Sequence, residues 1–86
     1  MTRQWTRDTR SEVNEILDTR GLKCPLPALK AQKRLQTLPG RARLTVLASD
    51  PLARIDIPHL CQTEGHALLA THQDAGGLRF DIEKGG

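Results

Sequence analysis

The chain has 86 residues, 13 lysines and arginines against 10 acids, and a net charge of +3. A chain of this size makes one small domain with a thin core, burying about 60–65% of its unfolded surface. Two cysteines exclude a multi-bridge scaffold, no apolar run approaches the ~20 residues of a membrane helix, and no signal-peptide segment opens the chain. A soluble cytoplasmic protein with reduced thiols is therefore expected.

Residues 1–11 read as a flexible, arginine-bearing arm in which Trp5 is the one large apolar group, and residues 12–86 as a single domain. Trp5 and Phe80 are the only aromatic residues, which disfavours recognition of single-stranded RNA by stacking. Residues 12–19 alternate as a short strand, with Val13, Glu15 and Leu17 against Asn14, Ile16 and Asp18. Gly21 is the next turn residue, free to take a positive φ.

The stretch "CPLPALKAQKRL" from Cys24 then opens a helix. Pro25 and Pro27 are tolerated at its mouth because the first four N–H groups of a helix have no intrahelical acceptor. Ala28, Ala31, Leu35 and Leu38 form one stripe that can lie on a sheet, with Lys30, Lys33 and Arg34 opposite, and Pro39 and Gly40 stop the helix. Residues 41–49 alternate as a second strand with Ala42, Leu44, Val46 and Ala48 inward. Asp50 before Pro51 signals a helical turn. Pro58 interrupts the helical pattern beyond it, so the sequence predicts a short turn at Pro51 and a helix only from about residue 58 to residue 64, closing at Gly65. Residues 67–73 and 78–84 pair as a hairpin, with Leu78, Phe80 and Ile82 buried. The order βαβαββ predicts an α+β two-layer sandwich, a four-stranded mixed sheet with both helices on one face.

Cys24 sits at or beside the N-cap of the first helix, next to Lys23. Unpaired N–H groups, the positive end of the helix dipole and the lysine would favour a thiolate, and the prolines would present it to solvent. Cys61, following Leu60 with no flanking cation, reads as a buried, inert thiol, and no CxxC spacing marks a disulfide oxidoreductase. His59 and Cys61 diverge around a helix, His66 and His72 lie far apart along a strand, and no zinc spacing occurs, so no metal is expected.

Three strings together carry a resemblance: "LDTRGLKCPLP", "SDPLARIDIPHLC" and the closing "EKGG". From about residue 16 onward the chain is similar to the TusA family of small sulfurtransferases (also called SirA-like), whose mark is Cys-Pro-x-Pro at the start of the first helix. The resemblance implies the same βαβαββ sandwich. It implies that Cys24 is the persulfide-bearing nucleophile, that Pro25 and Pro27 frame it, and that Gly21 is the family's turn glycine. Asp50 and Asp56 match acidic positions for which helix capping accounts. Leu26 stands at the x position, where the best-known member carries an acid.

The implied reaction is sulfane-sulfur relay. Cys24 takes the outer sulfur of a donor persulfide and passes it to an acceptor protein, with no small-molecule cofactor. A cysteine desulfurase or rhodanese-like protein would be the donor. The acceptor would lead to tRNA 2-thiouridine, sulfur oxidation or cofactor assembly. Leu26 and Leu29, close to Cys24 and ringed by Lys30 and Lys33, are the candidate docking face. Two other classes stay in view: a carrier with a thiocarboxylate on the terminal Gly85–Gly86, and a non-catalytic RNA-binding or regulatory module using Lys30, Lys33 and Arg34.

Overall fold

A computed structural model describes residues 13–85. The expected arm at residues 1–11, the first residue of the expected first strand, and Gly86 lie outside the described residues.

Period-two alternation makes the sheet. Strand β1 (Asn14–Asp18) half-buries Glu15 and Leu17, and β2 (Arg43–Ala48) fully buries Leu44, Val46 and Ala48. Strands β3 (Ala67–Asp74) and β4 (Gly77–Glu83) form the hairpin, with Leu78, Phe80 and Ile82 inward. The spatial order is β1-β2-β4-β3; β1 runs parallel to β2, while β4 is antiparallel to both its neighbours. The parallel pair needs a crossover, which the first helix supplies.

That helix, α1 (Leu26–Thr37), buries Pro27, Ala31 and Leu35, with Leu38 just beyond. The second, α2 (Ala53–Glu64), buries Ala53, Ile57, Leu60 and Cys61. These side chains and the inner face of the sheet form one core, with Phe80 its largest fully buried member. The βαβαββ two-layer arrangement is therefore the one its patterns predict.

The second helix begins earlier than Pro58 predicts. Asp50 Oδ1 accepts the Leu52 N–H at 2.9 Å, and Ala53, Arg54 and Ile55 N–H groups donate to the carbonyls of Asp50, Pro51 and Leu52. This turn nucleates α2, and Pro58 is carried inside it. An interior proline costs about 3 kcal/mol. Burying Ile57, Leu60 and their neighbours returns about 1.5–3 kcal/mol per large aliphatic side chain, so the apolar stripe at 53, 57, 60 and 61 overrides the proline. Gly65, at φ 79°, closes the helix as its sequence predicts, and the Gly65 and His66 N–H groups both donate to the Cys61 carbonyl.

Candidate active site

Because β1 and β2 are parallel neighbours, their carboxyl ends lie side by side, and both helices start from loops at that end. Cys24 is in the loop after β1, and Asp50 in the loop after β2. Buried Thr19 ties the two together: its N–H and Oγ1 both donate to the Leu47 carbonyl, at 2.7 and 2.5 Å. One residue past Arg20, Gly21 takes φ 90°, and its N–H donates to Ser49 Oγ at 2.8 Å. The left-handed turn that brings the chain to Cys24 is thus fixed at both ends.

Cys24 is half-buried, immediately before the Pro25 cap of α1. Its N–H donates to Asp50 Oδ2 at 2.8 Å, and its Sγ–H donates to Asp56 Oδ2. Asp50 therefore bridges the site, holding the Cys24 backbone with one oxygen and the start of α2 with the other. These two hydrogen bonds, with the nearby charge of Lys23, hold its carboxyl below the usual range.

The thiolate expected at Cys24 is not favoured here. The hydrogen bond to Asp56 pushes the thiol from its ordinary 9.0 up to about 11, assisted by partial burial and by the negative charges of Asp56 and Asp50. The helix mouth cannot offset this. Pro25 and Pro27 have no N–H to offer, and the Leu26 N–H is already donated to the Lys23 carbonyl at 2.8 Å. The prolines that lose nothing at a helix start also give nothing to an anion. Lys23, expected to stabilise the thiolate, acts on the Asp50 carboxylate instead.

Leu26 and Leu29 are exposed, as their helical positions predict, and so are Lys30 and Lys33. Pro25 is exposed, whereas Pro27 is buried and anchors the turn to the core. Between the helices runs an open groove of about 250 Å³ lined by Pro25, Ala28, Leu29, Asp56, His59 and Glu64, among others. Two exposed apolar residues of α2's start were not singled out in the sequence, Leu52 and Ile55. Their signal was available: Leu52, Ile55, Asp56 and His59 recur at i, i+3, i+4 and i+7, a second helical face beside the buried one.

Cys61 is buried in the core and its thiol is pushed up by burial; both cysteines are free. Among the described residues no group of three or more histidines, cysteines and acids is placed to hold a metal ion. Of the cations named for an RNA-binding face, Arg34 is engaged by Glu15, with Nε–Oε1 at 2.7 Å. Gly85, which would begin a free diglycine tail, donates its N–H to His66 Nδ1 at 3.0 Å and packs so closely that a Cβ would collide with the Gly65 carbonyl oxygen.

Fold and site together define a small α+β protein built around one presented cysteine of a Cys-Pro-x-Pro turn. The family model described as Sulfurtransferase TusA matches residues 15–84. A relative from Pseudomonas putida, "Sulfur carrier protein TusA", is 41% identical over 69 residues, covering 80% of this chain and 86% of its own. A protein of the same name from Pseudomonas aeruginosa is 38% identical over 72 residues, covering 84% and 91%. The crystal structure of a SirA-like protein from Desulfitobacterium hafniense superposes with a TM-score of 0.72 over 84% of this chain and 99% of that one; at 23% identity it speaks for the fold alone. The chain belongs to the TusA family of sulfurtransferases.

Proposed function

We propose that the protein is a sulfur carrier whose Cys24 accepts a sulfane sulfur as a persulfide and passes it to the thiol of an acceptor protein. The carrying observation is the position of Cys24: half-buried at the carboxyl ends of two parallel strands, its backbone held by Asp50, at the start of the family's Cys-Pro-x-Pro motif. Gly21, Pro25 and Pro27 give the thiol a fixed position, and Lys23 acts through Asp50. In transfer, Sγ attacks the outer sulfur of the donor persulfide and the donor thiolate leaves. In relay, the acceptor thiolate attacks the new terminal sulfur and Cys24 leaves.

Donor and acceptor must both reach Sγ, so they share the surface around it. The exposed Leu26 and Leu29 of α1, with Leu52 just before α2 and Ile55 in its first turn, form the apolar part of that docking face, and Lys30 and Lys33 its charged rim. A cysteine desulfurase or a rhodanese-like protein has the chemistry required of the donor. Incubation with a desulfurase and cysteine should add the mass of one sulfur atom to the intact protein. Excess acceptor thiol should remove it, and Cys24→Ser should prevent its addition. Full sulfur uptake by Cys24→Ser would contradict the reading.

A further inference from the structure

The hydrogen bond that holds the Cys24 proton bears directly on the reaction. A protonated Sγ is a poor nucleophile, and a donor thiolate departs more readily when a proton is delivered to it. Among the described residues one group touches the Sγ proton: the Asp56 carboxylate, reached from the facing helix. Asp50 is occupied by the backbone N–H groups of Cys24 and Leu52. Lys23 has no acceptor capacity while charged, and His59 and Glu64 lie farther along the groove that Asp56 lines.

We propose that Asp56 is the general base and acid of sulfur transfer to Cys24. As Sγ forms a bond to the donor's outer sulfur, the Sγ proton passes to Asp56 Oδ2. As the donor S–S bond breaks, its electron pair stays on the inner donor sulfur, which takes the proton from Asp56. The sum is Cys24–SH plus R–S–SH giving Cys24–S–SH plus R–SH, with no net oxidation or reduction. The proton becomes transferable because Sγ loses electron density as the new bond forms, which lets a carboxylate accept it in the transition state. Asp56 also keeps Cys24 a thiol between encounters, so electrophiles that need a free thiolate react slowly while a persulfide donor still reacts.

This inference rests on the persulfide reading above and predicts opposite signs for two reactions. In Asp56→Asn, iodoacetamide alkylation of Cys24 at pH 7.5 should accelerate at least ~10-fold, because the thiol loses an anionic acceptor and alkylation consumes only thiolate. Sulfur uptake from glutathione persulfide should slow by about 10- to 100-fold, below the usual 10²–10⁴ of acid–base catalysis because more thiolate is present. Asp56→Glu should keep alkylation slow and recover part of the uptake. Circular dichroism establishes that each variant is folded. Acceleration of both reactions in Asp56→Asn would make Asp56 only a suppressor of the thiolate and overturn the proposal, as would no change in either. Absence of sulfur on the parent protein would remove the persulfide reading and this step with it; sulfur on the parent with an unslowed Asp56→Asn would remove this step alone.

Discussion

The two cysteines are both held as thiols, for different reasons. Cys61 is enclosed by the core, and burial alone raises its pKa. Cys24 is half-buried, and its proton is held first by the Asp56 carboxylate. Burial can be relieved only by unfolding. A hydrogen bond to one carboxylate can be exchanged during a reaction, and on the sulfur-carrier reading proposed above that difference separates a structural thiol from the one that carries sulfur.

The largest effect should appear in the pH dependence of Cys24. Its alkylation rate should climb about tenfold per pH unit from neutrality, without levelling until about 11. A plateau below pH 9 would break the comparison by removing the carboxylate's hold. The contact is also linked to stability. Because the folded-state value is raised, its contribution is fully present below the ordinary 9.0 and is lost as pH rises through about 11. Denaturant midpoints should therefore fall across that window by less in Asp56→Asn than in the parent.

Next in size is Cys61→Ser, which places a hydroxyl in the core and should cost about 1–3 kcal/mol, a Tm fall of several degrees, with sulfur uptake intact. Loss of uptake in a folded Cys61→Ser would instead make Cys61 part of the chemistry. Leu29→Glu should slow transfer from a protein donor about five- to tenfold while leaving iodoacetamide and glutathione persulfide rates unchanged. Equal rates with the protein donor would move the docking face elsewhere. The smallest effect belongs to Lys23→Glu. Acting through Asp50 and screened by solvent, it should lower alkylation of Cys24 about twofold, far less than Asp56→Asn raises it.

Much of the fold was legible because it rests on periodicity. The alternation of 42–48 and 78–82 and the stripe of Ala31, Leu35 and Leu38 are local statements about which face is apolar, and burial enforces them. The start of α2 was not legible. Pro58 is a local signal against helix, while the buried face of Ile57, Leu60 and Cys61 that overrides it exists only once the sheet is assembled. The site divides in the same way. Cys24 and its prolines stand in one short string, but the thiol's proton is held by a residue 32 positions away. Capping, expected to account for both Asp50 and Asp56, accounts for Asp50 only: Asp56 makes no cap and instead accepts from Cys24 Sγ, a contact that exists only because neighbouring parallel strands bring the start of α2 against the mouth of α1. Without that contact, the helix dipole and Lys23 give the wrong sign for the acidity of Cys24.

The claim that Cys24 alone carries sulfur is tested most directly by peptide mapping after limited incubation with a persulfide donor. Persulfides should be trapped with an alkylating reagent and both cysteine peptides weighed from one sample. An extra sulfur atom is expected on the Cys24 peptide and none on the Cys61 peptide. Comparable sulfur on Cys61, or sulfur on neither while the intact protein gains it, would contradict the claim.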